Sequence, residues 1–522
     1  MDMLQGEVRA RLYHEGETVF CESVGEYTLP DYMPEMRKLL RIETHLLPTG
    51  RFIGGGKAEF SGVTVHTVYY SDGEGRLCAT VQSGDYRCAV PLASEDAEVF
   101  ADCRVERVSH RLGGPRRLGI RTSIAAHVTV LQSESVPSID CGDACGLECL
   151  YARDTVCDRK YIVLDEITLT DAVHVDGYTA GEVRPIATDA SVFVREARPQ
   201  GESISITGEV WVRLLYACGT QGEGEVQNEM PDVLLRKIPF DAFLSEGGLS
   251  AVTVHGVCTS IDASVDDDGL GGCDVNLSLR ILLEGEGVQN RELVYCKDAY
   301  AHDAPTETAV RHMPLARFLG TLTQNVSISG SAPLDGALSS ARALDCSAVP
   351  SRAEITCEDG KLRITLDCAV SGIVALTDTD DGGLQYEKVE FSCPVKAELD
   401  ARQMATDGAH YTVAPTFLGG TMRIDGDNIR MDGELVLTVT AFLPCTLTVL
   451  DRVERMPEGA AEEEQCDLRV VYPQDCDTLW TVAKRYRAHL ARLAKQNGIP
   501  EQKAMEPDLP EAIDGINALI IS

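Results

Sequence analysis

The chain reads as mainly β, three repeated antiparallel β-sandwich-like domains followed by a small α+β (βααβ) domain, and three observations predict it. Apolar and polar residues alternate with period two over most of the sequence, as strands with one buried face require. A single strand, turn and proline pattern recurs three times, which marks duplicated units. Sustained helical periodicity begins only near residue 478. At 522 residues the chain also exceeds what one hydrophobic core organises.

Residues 1–20 carry neither the basic start nor the apolar stretch of a signal peptide, and no run reaches the roughly eighteen apolar residues that a bilayer requires. The expectation is a soluble protein retained in the cytoplasm, without membrane insertion. Its 82 acidic and 47 basic residues leave a net charge of −35, which repels a phosphate backbone, so nucleic acid is excluded as a partner. The nineteen cysteines are odd in number and scattered, and several alternate with apolar residues, so they read as free buried thiols.

The first copy occupies residues 1–160. Its strand Glu59-Phe60-Ser61-Gly62-Val63-Thr64-Val65-His66-Thr67-Val68-Tyr69-Tyr70 alternates and then enters a turn at Ser71-Asp72-Gly73. The second copy, residues 161–305, repeats it as Ser205-Ile206-Thr207-Gly208-Glu209-Val210-Trp211-Val212-Arg213-Leu214-Leu215-Tyr216, with a glycine eight residues before a tyrosine in both. The third, residues 306–451, diverges to Arg363-Ile364-Thr365-Leu366-Asp367-Cys368-Ala369-Val370. An apolar-Pro-apolar step follows each, at Pro91, Pro239 and Pro394, and proline belongs at sheet edges, so the three read as one recurring edge feature. A second alternating strand closes each copy, over 120–131, 275–283 and 429–443. Short helices are predicted over 34–40 and 314–319, where apolar spacing briefly turns helical.

Residues 452–467, with Pro457, Gly459 and Glu462-Glu463-Glu464, hydrate better than they pack and read as an acidic linker. In the last domain, residues 468–522, a strand Leu468-Arg469-Val470-Val471-Tyr472 precedes Asp477, which is placed to cap a helix. Leu479, Val482, Ala483 and Tyr486 share one face of that helix, Leu490, Leu493 and Ala494 line a second, and Gly498 stops it. Residues 518–521 form a strand able to pair with the first. Trp480 neighbours a buried position without sharing its face, which makes it the candidate contact residue. From 478 to 500 the basic residues Lys484, Arg485, Arg487, Arg492 and Lys495 meet no acid, a face suited either to an acidic partner or to the acidic body of the chain itself.

Signals for chemistry are few. Gly54-Gly55-Gly56-Lys57 lacks the spacing and hydroxyl of a phosphate loop and reads as a hairpin turn. Asp266-Asp267-Asp268-Gly269 and Asp378-Thr379-Asp380-Asp381-Gly382 lack the spaced ligands of a calcium loop. Cys141, Cys145, Cys149 and Cys157 match no zinc knuckle. No HExxH pair and no Gly-x-Ser-x-Gly elbow occurs, so the expectation is a non-enzymatic protein with no cofactor, no metal and no catalytic residues.

The segment Leu29-Pro30-Asp31-Tyr32-Met33-Pro34-Glu35-Met36, with the strand from Gly62 to Tyr70, resembles the SPOCS domain of endospore-forming bacteria. Asp477-Thr478-Leu479-Trp480-Thr481-Val482-Ala483-Lys484-Arg485-Tyr486 followed by Asn497 resembles the LysM family. In glycan-binding members of that family the sugar lies between the first strand-helix loop and the loop entering the last strand, so the resemblance places Asp477, Thr478, Leu479 and Asn497 in or beneath a groove. The two domains in this order resemble spore coat assembly proteins of the SipL type. That resemblance implies a mother-cell cytoplasmic protein at the forespore surface, whose LysM-like end docks on a coat morphogenetic ATPase of the stage IV sporulation protein A type through Trp480 and the basic residues Lys484, Arg485 and Arg487. The alternative is a protein that binds the N-acetylglucosamine glycan of peptidoglycan in wall or spore cortex.

Overall fold

The computed structural model describes residues 5–14, 17–47, 50–92, 97–139, 146–163, 166–221, 226–269, 271–334, 341–377, 384–456, 468–474 and 476–521. Cys141, Cys145, the 378–382 turn and most of the acidic linker lie outside them. The described chain is mainly β and every strand pair in it is antiparallel.

The first strands are β1 (Gln5–His14), β2 (Thr18–Thr28), β3 (Lys38–Leu46), β4 (Gly50–Gly54), β5 (Lys57–Ser71), β6 (Leu77–Pro91), β7 (Ala97–Gly114) and β8 (Arg117–Ile139). One sheet runs β1-β8-β2 with β7 also on β8, and the other runs β3-β5-β4 with β6 also on β5. Next come β9 (Leu147–Val163), β10 (Ile167–Val175), β11 (Val183–Gln200), β12 (Ser203–Gln221), β13 (Val226–Leu244), β14 (Ala251–Asp267) and β15 (Cys273–Ala301). They pair as β10-β15-β14 with β9 on β15, and as β11-β12-β13. The third set is β16 (Thr306–Pro333), β17 (Arg342–Pro350), β18 (Glu354–Glu358), β19 (Lys361–Thr377), β20 (Leu384–Asp400), β21 (His410–Asp425) and β22 (Asn428–Arg455). These pair as β16-β22-β21 and as β17-β19-β18 with β20 on β19. In each set the opening strands (two in the first and second sets, one in the third) and the two closing strands make one sheet, and the strands between them make the other.

Alternation decides which side chains meet across each pair of sheets. In the second set Ile204, Ile206, Val210 and Val212 of β12 face the same core as Val275, Leu277, Leu279 and Ile281 of β15, all essentially buried. In the third, Leu362, Ile364 and Cys368 of β19 share a core with Leu435, Leu437 and Val439 of β22. Each such aliphatic side chain stabilises by about 1.5–3 kcal/mol. Cys368 and Cys393 pack as small apolar residues there, and burial pushes the Cys368 thiol up to about 12.

Two expectations about local structure give way. Residues 34–37 form an irregular connection that leads into β3, and residues 314–319 lie inside β16, so neither predicted helix forms. The apolar spacing at Met36 and Leu40 reflects two different partners. Met36 donates its amide to Pro115 of the β7–β8 turn at 2.8 Å, and Leu40 is a bulged strand residue. Pro91, Pro239 and Pro394 all sit on strands paired along one side only, but they do not share a register. Pro239 and Pro394 lie opposite Glu209 and Asp367, whereas Pro91 ends β6 opposite Lys57. The Gly54–Lys57 segment is a two-residue hairpin turn, with Gly55 and Gly56 at φ 61° and 73°.

The three sets meet through equivalent positions. β3, β11 and β17 each carry a bulge at the same place, between Leu39 and Arg41, Pro185 and Ala187, and Ala343 and Asp345. The bulged residues Leu40, Ile186 and Leu344 converge in one apolar cluster with Tyr69, Leu215 and Ile373, their neighbours on the three central strands. Beneath this cluster lies a buried charge network. Arg213 of β12 reaches Glu43 at 2.7 Å and Asp345 at 3.0 Å, and Arg41 also pairs with Asp345. Tyr69 donates its hydroxyl to Glu43 at 2.8 Å. Burial alone would raise the Glu43 carboxyl, but Arg213 and Arg41 offset it and hold that carboxyl well below the usual range.

Candidate functional site

The C-terminal module is built from β23 (Arg469–Val471), α1 (Leu479–Arg485), α2 (Leu490–Gln496), the short α3 (Glu501–Ala504) and β24 (Leu519–Ile521). β23 and β24 pair with Val470 opposite Ile520. Val471 and Leu519 point beneath the helices and are buried with Leu479, Val482, Ala483, Leu493 and Ala494. Thr478, not Asp477, caps α1: its Oγ1 accepts from the Thr481 amide at 3.1 Å. Asp477 sits one residue too early and instead accepts from the Gln474 amide at 3.0 Å and pairs with Arg485 at 3.1 Å. The bond from Arg485 holds the Asp477 carboxyl below its ordinary range. Asn497 ties α2 to β24, donating to Leu493 O at 2.9 Å and Ile520 O at 2.8 Å and accepting from the Ile520 amide at 2.6 Å. Gly498 closes α2 at φ 65°, with Ile499 donating back to Ala494 at 2.9 Å.

The sequence marks Trp480 as the candidate contact residue, off the face shared with the module core, and the structure buries it to 3 % exposure. Trp480 does leave the face shared by Leu479 and Val482, but the body of the chain covers the face it takes. Its indole N–H donates to Asp298 at 2.8 Å, and its ring meets Tyr300 edge-on at 5.0 Å. Lys484 bonds the same carboxylate at 2.6 and 2.8 Å. A bulge between Cys296 and Asp298 in β15 turns Asp298 toward the module. The Tyr300 hydroxyl donates to Ala488 O at 2.5 Å, Lys297 pairs with Asp508 at 2.9 Å, and Leu150 and Tyr300 join the module core.

Beside this seat the strained loop between the helices meets two histidines. Arg487 has φ 53°, a left-handed conformation that costs a non-glycine residue about 1 kcal/mol or more. Its carbonyl lies 3.1 Å from His302 Nδ1. His302 Nε2 lies 2.9 Å from Glu148 Oε2, His489 Nδ1 lies 3.6 Å from the same oxygen, and the two imidazoles lie with centroids 3.6 Å apart and planes tilted by 37°.

Of the sequence-derived site residues, Asp477, Thr478, Leu479 and Asn497 therefore hold the module together, and Trp480 and Lys484 hold it to the second set of strands. Arg485 is tied to Asp477, and Arg487 contributes its carbonyl. The loop after α3 crosses the start of α1, where Pro507 O accepts from the Trp480 amide at 2.8 Å. Comparisons with protein-family models, curated proteins and solved structures find no match.

What sequence reasoning missed is the outer face of the β23–β24 ribbon. Val470 is 51 % exposed, Tyr472 73 % and Ile520 37 %, and Leu468 beside them is also exposed. The signal was there: an apolar residue at every second position from 468 to 472, with Val471 pointing the other way, means both faces of the strand are apolar. A shallow open trough of about 530 Å³ across β10, β14 and β15 has no histidine, cysteine, lysine or arginine among its lining residues. No helix among the described residues is long and apolar enough to cross a membrane.

Proposed function

We propose that the chain is a non-enzymatic spore coat assembly protein, in which a LysM-like module offers a docking face to a coat morphogenetic ATPase of the stage IV sporulation protein A type. Three SPOCS-like units form the acidic body that carries the module, and the site of action is the mother-cell cytoplasm at the forespore surface. The observation that carries this reading is the uncovered apolar face of Leu468, Val470, Tyr472 and Ile520. The module is fastened through Trp480, and this ribbon face is left as an exposed apolar surface.

A glycan reading draws less support, because Asp477, Thr478, Leu479 and Asn497 are committed to internal bonds and packing. The test uses full-length protein in pull-downs from sporulating cells, comparing the natural sequence with Val470→Ser/Tyr472→Ser. Both positions are solvent-facing, so unfolding transitions should coincide. Loss of the coat ATPase from the variant pull-down is expected. Unchanged recovery of the ATPase, or loss of binding to purified peptidoglycan instead, would overturn the reading.

A further inference from the structure

We infer that Glu148, His302 and His489 form a divalent transition-metal site, of the zinc class, that clasps the C-terminal module to the second set of strands. Glu148 is the second residue of β9, His302 follows β15 directly, and His489 occupies the N-cap position of α2, so the cluster assembles only when the module is seated.

The tautomer of His302 carries the argument. A carbonyl oxygen only accepts, so the Arg487 carbonyl at 3.1 Å fixes the proton of a neutral imidazole on Nδ1. The lone pair is then on Nε2, which faces the Glu148 carboxylate at 2.9 Å. Two acceptors at that separation need a cation between them. His489 brings a third donor atom, Nδ1, 3.6 Å from the same carboxylate oxygen, and makes no side-chain capping bond to α2. Tetrahedral zinc with bonds of ~2.0–2.1 Å separates neighbouring ligand atoms by about 3.3 Å, and the two measured spacings bracket that value. All three ligand atoms lie within 4.8 Å of one another.

A proton could fill the same gap by charging His302, but it leaves the role of His489 unexplained. The two rings, with centroids 3.6 Å apart, repel if both are charged, whereas one metal ion uses both lone pairs at once. The backbone also fits: a ligating imidazole commonly donates its other N–H to a carbonyl, and here that carbonyl belongs to a residue held at φ 53°. Strain of that kind persists where the surroundings impose it. Among the described residues the other comparable cluster, Glu43, His45 and Asp189, differs in one decisive respect, since Arg213 already pairs with both carboxylates and supplies the positive charge.

Three ligands from the chain leave a fourth position for water or for a partner's side chain. Cobalt(II) tests the site in metal-stripped, full-length protein, because a nitrogen and oxygen set gives visible d–d bands without the near-ultraviolet charge transfer of thiolate ligands. One cobalt per chain with that spectrum, displaced by zinc, is expected. His489→Gln alters a largely exposed side chain and should weaken zinc binding by at least the ~10–100-fold that even outer-sphere losses cost. His302→Gln should do the same, with circular dichroism of both variants unchanged. Absence of cobalt binding, a thiolate spectrum alone, or zinc affinity in either variant equal to that of the natural protein would overturn the assignment.

Discussion

Gly62 lies directly opposite Tyr86 across β5 and β6, and a Cβ at Gly62 would come within 2.6–2.7 Å of the tyrosine ring. The ring fills the space that a side chain on the facing residue would occupy. Gly208 and Phe240 repeat the pair in the second set of strands, and the third has Leu366 opposite Val395. The third copy therefore keeps the volume and redistributes it between the two strands, which is why its sequence looks divergent at the residue that marks the other two. Gly62→Leu alone should cost about 1–3 kcal/mol by overpacking against Tyr86. The double variant Gly62→Leu/Tyr86→Val should recover most of that loss in chemical denaturation. Additive losses in the double variant would show that the glycine serves the backbone and not the ring.

At the scale of elements, the alternation over 59–70, 205–216 and 363–370 made strands β5, β12 and β19 legible, because over most of that span one face is buried and the other is not; from His66 in β5 and from Val212 in β12 both faces are covered. The predicted helices over 34–40 and 314–319 failed because residues a helical turn apart were apolar for unrelated reasons. Trp480 shows a different limit: periodicity told which face of α1 meets the module core, but not that a second surface, displayed by β15, covers the adjacent face. Asp298 is the hinge of that contact, since its carboxylate takes both the Trp480 indole and the Lys484 ammonium. Asp298→Ala leaves the indole N–H and the ammonium without their acceptor and should release the module. Trp211 and Trp480 are the only tryptophans, so in a Trp211→Phe background the emission reports Trp480 alone. A red shift of that emission is expected in Asp298→Ala. Emission matching that of the Trp211→Phe parent would mean that Tyr300 and Leu150 hold the seat without the carboxylate.

Over the whole molecule, the buried network of Arg41, Glu43, Arg213 and Asp345 draws one residue or more from each set of strands, so the three sets share a charged centre as well as an apolar one. Sequence could not reveal this, because the partners lie on different copies and each alone looks like a polar residue on the open face of a strand. The bulges at Leu40, Ile186 and Leu344 turn those positions inward together. Arg213→Met removes a cation that the carboxylates of Glu43, Asp189 and Asp345 share and should cost about 3–5 kcal/mol at pH 7, chiefly by leaving Glu43 buried with too little positive charge. The pH dependence has a definite sign. In the natural protein the Glu43 carboxyl is depressed, so its contribution is complete above the unfolded value of about 4.3 and declines as pH falls below it. In the variant burial wins and raises the folded value, so protonation relieves the unpaired charge as pH falls. Both effects shrink the stability difference between the two proteins from pH 7 to pH 4. Denaturation curves at the two pH values measure it, and a difference that stays constant would mean that Arg41 alone keeps Glu43 ionised, with Arg213 serving only to pack the junction.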